Sequence, residues 1–215
     1  MTFYLKKHDL TYVSVPKCAC TSLKQFFFHI HNGFEFRRFN INGQTYTIHK
    51  LASSIPFENL DTKSTRNHRK IAVVREPVGR LVSCYANKVV DGRILEKPKV
   101  ARNLERRGLS TTPTIHDFVR DLSAYQAASP NILHHSRPLS YFLGRDPSYF
   151  DKLFSLREMS SLIEYVADVV GEVPSLPHSQ KSTSSDVAKQ ITSEDRERIE
   201  KIYAEDLEIF GQWMK

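Results

Sequence analysis

No run of apolar residues in this chain is long enough to cross a bilayer, and the opening residues, MTFYLKKHDLTYV, hold no signal-peptide core. The expected setting is cytoplasmic, with peripheral contact to a membrane left open. Cysteine is scarce. Cys18, Cys20 and Cys84 form no disulfide framework, and their odd number fits a reducing compartment. Cys18-x-Cys20 has no second ligand pair at a zinc spacing, so no metal site is expected. Glycine is short as well: there are 8 in 215 residues, and none lies between Thr11 and Lys24. The G-x-x-x-x-G-K-[ST] loop of nucleotide triphosphatases is therefore missing from the segment best placed to hold a phosphate. No internal repeat occurs, and no aromatic-plus-basic motif supports a nucleic-acid partner.

What is present is a globular composition, with 40% hydrophobic and 26% charged residues, of a length that suits a single domain over 1–215. The formal net charge of +7 favours an anionic ligand, without naming it.

The chain is organised around TYVSVPKCACTSLK, Thr11 to Lys24. Tyr12, Val13 and Val15 suit a buried strand that Pro16 ends. Beyond the loop, Leu23, Phe26, Phe27 and Ile30 recur at i, i+3, i+4 and i+7, one apolar helix face. Cys20, Thr21 or Ser22 starts that helix, where amides without helical partners, flanking hydroxyls and Lys17 attract a phosphate-like anion.

Further along, Phe34 to Asn42 fits either a strand or an irregular basic segment. Asn42-Gly43 marks a turn, and Gln44 to Ile48 a short strand. His49 then falls at a strand end, where α/β sheets place chemistry. Ser53 to His68 reads as a loop with a helical turn or two. Ile71 to Val74 is a second buried strand, running into Arg75-Glu76-Pro77 and a helix whose face is Val78, Leu81, Val82, Tyr85 and Val89. An arginine at this strand end, where a triphosphatase needs a magnesium-binding acid, suits a phosphate held without metal. The basic stretch 92–112 reads as a lid, an acceptor contact or a solvated surface. Thr114-x-x-Asp117 opens another helix, Asn131 to Pro138 reads as a loop, and Tyr149 to Leu156 as a third strand. A helix follows from Ser161 to Val170, then a Pro- and Ser-rich linker over 171–186. A last helix starts at Thr192 and runs to Gly211. Strands alternating with helices predict an α/β fold with a parallel sheet covered on both faces.

Two of these segments together carry a family resemblance. VPKCACTSLK (Val15 to Lys24) resembles the 5′-phosphosulfate loop of sulfotransferases that use 3′-phosphoadenosine 5′-phosphosulfate (PAPS). VVREPVGRLVSCY (Val73 to Tyr85) resembles their 3′-phosphate motif, with Arg75 at the strand end and Ser83 eight residues later. The likeness is to the carbohydrate branch, sulfotransferase family 2, which includes the chondroitin sulfotransferases and bacterial relatives. HSRP near His135 resembles that branch's H-x-R-P-Q segment, with Leu139 in place of the glutamine. LREM (Leu156 to Met159) and YAEDLEIFG (Tyr203 to Gly211) resemble its later segments. LPHSQKS (Leu176 to Ser182) is similar to its nucleotide-closing loop, with Gln180 where asparagine is usual. The likeness is weakest over 90–130.

The resemblance implies an α/β, P-loop-like three-layer sandwich with a central parallel sheet. It also implies transfer of a sulfuryl group from PAPS to a hydroxyl or amine, releasing adenosine 3′,5′-bisphosphate, with no metal. Lys17 would stabilise charge on the leaving 5′-phosphate. Lys17, Cys18, Ala19, Cys20, Thr21 and Ser22 would form the 5′-phosphate site, and Arg75 and Ser83 the 3′-phosphate site. Lys181 and Ser182 would close over the nucleotide. Arg80 resembles the family's second arginine in this helix, and a salt-bridged surface role fits it equally. His49 is the favoured general base, because a histidine often follows this strand in the carbohydrate branch; His134 and His135 compete, and Glu76 and Glu58 are weaker candidates. The acceptor by likeness is a glycan or glycoconjugate. Two other readings stand beside this one: a nucleotide-dependent phosphotransferase, and an inert nucleotide- or polyanion-binding protein that keeps the fold.

Overall fold

The structure is a computed structural model that describes residues 2–177 and 183–214. Along the chain β1 (Phe3–Leu5) and β2 (Leu10–Val13) precede α1 (Cys20–Asn32), β3 (Phe39–Ile41), β4 (Gln44–Tyr46), α2 (Ile48–Leu51) and β5 (Arg69–Val74). Next come α3 (Pro77–Tyr85), α4 (Pro98–Glu105), α5 (Ile115–Arg120), α6 (Leu122–Ala128), α7 (Pro130–Ser136) and α8 (Leu139–Leu143). The chain closes with β6 (Lys152–Ser155), α9 (Met159–Val170), α10 (Ser184–Ala188), α11 (Ser193–Ile202) and α12 (Ala204–Phe210). These elements fall into two compact units. The first lies within Met1–Arg75, Leu139–Ser179 and Ile209–Lys215, the second within Glu76–Pro138 and Gln180–Glu208.

The first unit is built on a four-stranded sheet of order β1-β2-β5-β6. The three expected strands form its parallel part, with Val13 opposite Ala72 and Val74 opposite Ser155. β1 adds an antiparallel edge, Phe3 opposite Tyr12, so the sheet is mostly parallel and not wholly so. Three residues ahead of Lys6-Lys7 are too few to show a strand period in sequence. β2 and β5 read as continuous apolar runs because they are central strands. The expected face of α1 is buried against them, with Leu23, Phe26 and Phe27 all sealed from solvent. Phe27 stacks on Tyr12 of β2 at 4.7 Å between ring centres. Because β2 and β5 are parallel neighbours, the loop after β2 and the end of β5 at Arg75 come to the same edge of the sheet.

β3 and β4 form a separate hairpin. Its turn residues, Asn42 (φ 49°) and Gly43 (φ 73°), are both left-handed, as a tight two-residue hairpin requires. The strand expected from Gln44 to Ile48 ends at Tyr46, and His49 lies in the single turn of α2. The sheet-end rationale for His49 therefore fails, because its strand is not part of the central sheet. Its position comes instead from α2 packing on α1.

The second unit is helical among its described residues. Glu76 caps α3 by accepting the Gly79 N–H at 2.7 Å, and Pro77 takes the first helical position. Val78, Leu81, Val82 and Tyr85 are buried as the period predicts. After Tyr85 the helix widens into a π-helical turn over Ala86–Asp91, which carries Val89. Part of the 92–112 stretch is ordered as α4, with Leu104 buried beneath it. The loop expected over Asn131 to Pro138 is instead α7, started by Ser129, whose Oγ accepts the Ile132 N–H, and by Pro130 at the first turn. The last helix does begin at Thr192 with a capping box to Asp195, but it breaks at Tyr203 into α11 and α12. At that break the Tyr203 hydroxyl donates to the Ser136 carbonyl, a buried tie that a continuous surface helix would not make.

Candidate active site

The loop between β2 and α1 turns without glycine. Lys17 (φ 69°) and Ala19 (φ 52°) both take the left-handed conformation that glycine normally supplies. The Cys18 N–H reaches the Val15 carbonyl at 3.4 Å, and the Cys18 side chain is sealed in the core, so only its backbone faces the loop. Ala19 precedes α1 with no side-chain cap. The first ladder bond runs from the Leu23 N–H to the Ala19 carbonyl at 3.1 Å. The amides of Cys20, Thr21 and Ser22 thus form the leading turn of a 13-residue helix, its electropositive end. Ser22 is buried, while Lys17, Ala19, Cys20 and Thr21 are half-buried. Beneath the loop, burial pushes the Tyr12 phenol well up, with the charges of Cys20 and Cys18 adding to the effect.

Arg75 joins this loop from the next strand. Its Nη1 donates to the main-chain carbonyl of Lys17 at 3.4 Å, so one guanidinium spans from the end of β5 to the turn that carries Lys17. The adjacent ends of two parallel strands thus gather Lys17, the α1 amides and Arg75 within one unit.

His49 is exposed on α2 and bonds α1 at both ring nitrogens. Nε2 lies 3.0 Å from Thr21 Oγ1, in the first turn of α1. Nδ1 lies 3.3 Å from Nζ of Lys24, one turn further along. Lys24 also donates to Ser54 Oγ at 3.2 Å, and Ser54 Oγ lies 3.0 Å from Ser14 Oγ. Lys24 is only 1% exposed, and burial pulls its pKa down, against a smaller upward pull from Cys20. Sequence reasoning gave no role to Lys24, Ser54 or Ser14. The one available signal was helical spacing, since Thr21 and Lys24 are three apart and share a flank of α1.

The same flank continues to Phe28, seven residues after Thr21. There it floors an open cleft of about 630 Å³ lined also by Phe34, Phe36, Arg37, Phe39 and Leu51. Leu51 belongs to the helix that carries His49, and Phe28 lies about 6 Å along the axis from Lys24. Phe34, Phe39, Ile41 and Leu51 are among the few large apolar side chains left exposed.

Most of the remaining candidates belong to the second unit. Ser83 is half-buried on α3 in the second unit. Arg80 is buried there beside Asp206, with Nη1 3.6 Å from the carboxylate, and donates to the Arg137 carbonyl; it is salt-bridged as one reading expected, but in the interior and not on the surface. His134 and His135 sit on α7, their rings 5.1 Å apart, and His135 Nδ1 lies 2.8 Å from the Asn131 carbonyl one turn back. Glu76 is engaged as the α3 cap, and Glu58 lies exposed on a turn of 3₁₀ helix. Lys181 and Ser182, the expected closing contacts, lie outside the described residues, as does Gln180. Among the described residues no three His, Cys, Asp or Glu side chains gather as metal ligands.

Comparison with curated proteins gives no match, and comparison with solved structures gives none either. Comparison with family models gives one that covers both strand-end motifs and nearly all the rest of the chain. Over residues 1–211 it matches the model described as the sulfotransferase family, and the chain belongs to that family, in its family 2 branch.

Proposed function

We propose that this sulfotransferase-family protein moves the sulfuryl group of PAPS to a hydroxyl of a carbohydrate acceptor and releases adenosine 3′,5′-bisphosphate. The observation that carries the reading is the joint between Arg75 and Lys17 at the positive end of α1. It brings the Arg75 guanidinium to the turn that carries Lys17 and leads into a helix N-terminus, which fits a polyphosphate better than a neutral ligand. In this reading residues 1–215 act as a single sulfotransferase domain, and the sheet belongs to a P-loop-like three-layer sandwich. The family match across 1–211 supports both points. A cytoplasmic setting remains our reading, and the three cysteines, none of them in a disulfide among the described residues, agree with it.

The chemistry is an in-line displacement at sulfur, in which negative charge grows on the oxygen bridging to the 5′-phosphate. Lys17 meets that charge as the bond breaks. The backbone of Cys18, Ala19, Cys20, Thr21 and Ser22 and the Thr21 hydroxyl hold the 5′-phosphate. Arg75 and Ser83 remain the proposed contacts of the 3′-phosphate, and Lys181 and Ser182 the proposed closing contacts, on the family resemblance. His49 takes the proton from the acceptor hydroxyl; it is preferred over His134 and His135 because it bonds Thr21 of the phosphate loop directly. The aromatic cleft on the same flank of α1 receives the acceptor, its rings offering apolar faces to the C–H side of a sugar, with Arg37 and Glu35 at hand for hydroxyls. No metal enters this scheme.

Calorimetric titration tests the reading. Adenosine 3′,5′-bisphosphate is compared with ATP and ADP, with and without magnesium, on wild type and Arg75→Ala. Metal-independent binding of the bisphosphate that collapses in the variant is the expected result. Preferential binding of ATP with magnesium would replace the reading with a phosphotransferase, and no binding of any nucleotide would replace it with an inert scaffold.

A further inference from the structure

Lys24 is a lysine in the wrong place for a solvated cation. It sits in the middle of α1, 1% exposed, in a helix whose neighbouring residues Leu23, Phe26 and Phe27 are core. Its ammonium end is aimed at two acceptors, His49 Nδ1 at 3.3 Å and Ser54 Oγ at 3.2 Å, and Ser54 is itself within 3.0 Å of Ser14 Oγ.

The chemistry of the contact follows from the inventory of donors. A neutral imidazole has one N–H and one lone pair, on opposite nitrogens. A charged Lys24 has only hydrogens to give, so Nδ1 must accept. The ring hydrogen is then on Nε2, where it points at Thr21 Oγ1, 3.0 Å away. In that state His49 is a donor toward the loop and has no lone pair there. A neutral Lys24 has a lone pair beside its two hydrogens, so it can accept the Nδ1 hydrogen while still donating to Ser54 Oγ. Nε2 then presents its lone pair on the loop side, with the Thr21 hydroxyl as its donor until another hydroxyl takes that place.

We infer that Lys24 is a positioning residue for His49: by its own charge it decides which ring nitrogen carries the hydrogen, and so whether His49 is a base toward the phosphate loop. The inference rests on the proposed role of His49 as base. The proton balance closes within the pair. The acceptor O–H bond breaks as the Nε2–H bond forms, the Nδ1–H bond breaks as a third Nζ–H bond forms, and the proton rests on Lys24 between Nδ1 and Ser54 Oγ. His49 ends neutral, and the acceptor oxygen has its electron pair free for sulfur.

Two titratable groups interact with Lys24 among the described residues. His49 faces it from α2 and the Cys20 thiol from one turn back on α1. Lys50, the other charged residue of α2, lies over the Tyr46 ring at 5.1 Å, and Tyr4 of β1 accepts the Asp61 N–H. Burial favours the amine, and Cys20 in its charged form opposes it. The switch is therefore drawn toward neutral pH from the ordinary alkaline range of lysine.

Long-range proton–nitrogen spectra of the full chain with labelled histidine read the tautomer of His49 directly. They are recorded from about pH 7 to about pH 10, spanning the range between ordinary histidine and lysine values. His49→Gln assigns the signal, and Lys24→Met and Lys24→Arg complete the set. The wild type is expected to pass from hydrogen on Nε2 to hydrogen on Nδ1 as pH rises, with kcat for sulfate transfer rising over the same limb at unchanged KM for PAPS. Lys24→Met should lose the tautomer change and the limb together. Lys24→Arg, a permanent cation, should hold the Nε2 hydrogen throughout and be slower than Lys24→Met, an order that a merely structural role would reverse. One unchanged tautomer across the range in the wild type overturns the inference, whether or not the variants fold. A tautomer change without sulfate transfer supports the Lys24–His49 link and overturns the proposed reaction; transfer without the change does the reverse.

Discussion

The guanidinium of Arg75 donates to the main-chain carbonyl of Lys17 at 3.4 Å, and thereby couples the end of β5 to the turn after β2. Arg75 is thus more than a charge at a strand end. It holds the residue proposed to act on the leaving group, from a strand whose register with β2 is fixed by four paired positions.

That double duty separates two substitutions. Arg75→Ala removes a charge-assisted contact worth about 1.5–3 kcal/mol, a loss of about ten- to a hundredfold in affinity for adenosine 3′,5′-bisphosphate. Arg75→Lys keeps the charge but loses the fork that can face a phosphate and a carbonyl together. It should recover part of the affinity in calorimetry while kcat stays low, because Lys17 is no longer held. Full recovery of kcat in Arg75→Lys would reduce Arg75 to a simple counter-charge.

Two left-handed residues without glycine store strain in the phosphate loop. An L-residue in that region costs about 1–2 kcal/mol, partly offset in a glycine by its greater freedom in the unfolded chain. Ala19 (φ 52°) makes no side-chain cap and is the cleaner site to test. Ala19→Gly should therefore raise the unfolding free energy by about 0.5 kcal/mol, read as a higher urea midpoint at constant slope. A lower midpoint would mean that the Ala19 methyl packs usefully in the loop.

These loop features show which parts of the chain were legible beforehand. The β2–loop–α1 unit was, because an apolar run stopped by Pro16 meets a helical period starting at Leu23. The same held for β5 and α3. α7 was hidden because only Ile132 and Ser136 of its seven residues are buried, too few for a stripe, while its histidines and serine resemble loop chemistry. α2 has four residues, too few for a helical stripe to show, so the sequence alone reads a strand end at His49 where the chain makes a single helical turn. Lys24 was opaque for another cause. A lysine beside Leu23 reads as the wet edge of a helix until α2 and Ser54 are seen to cover it.

The aromatic cleft predicts a change in acceptor use alone. Phe34 is 61% exposed, so Phe34→Ser should leave stability within about 0.5 kcal/mol. Losing one ring face is worth about 0.5–1.5 kcal/mol, which gives a two- to tenfold rise in KM for a sugar acceptor. KM for PAPS should not move. Equal changes in both constants would show that the 34–39 segment supports the fold of the loop rather than the acceptor.

Lys24 also makes a prediction about stability, opposite in direction to the usual effect of removing a charged contact. Its folded pKa is depressed by burial below the unfolded value near 10.4, so between the two the unfolded chain binds more protons than the folded one. Stability must then rise with pH through that window, and below it the cost of burying the ammonium is present in full. Lys24→Met removes a cost of this sign while keeping the length of the side chain. The variant should be more stable than wild type at neutral pH, by on the order of 1 kcal/mol, with the difference shrinking as pH climbs toward 10. Urea unfolding at a series of pH values checks it. If Lys24→Met is less stable at every pH, the hydrogen bonds to His49 and Ser54 outweigh the burial of the charge, and Lys24 stays protonated in the folded protein over the working range. His49 would then be held as a donor to Thr21, and the base would have to be sought at His134 or His135.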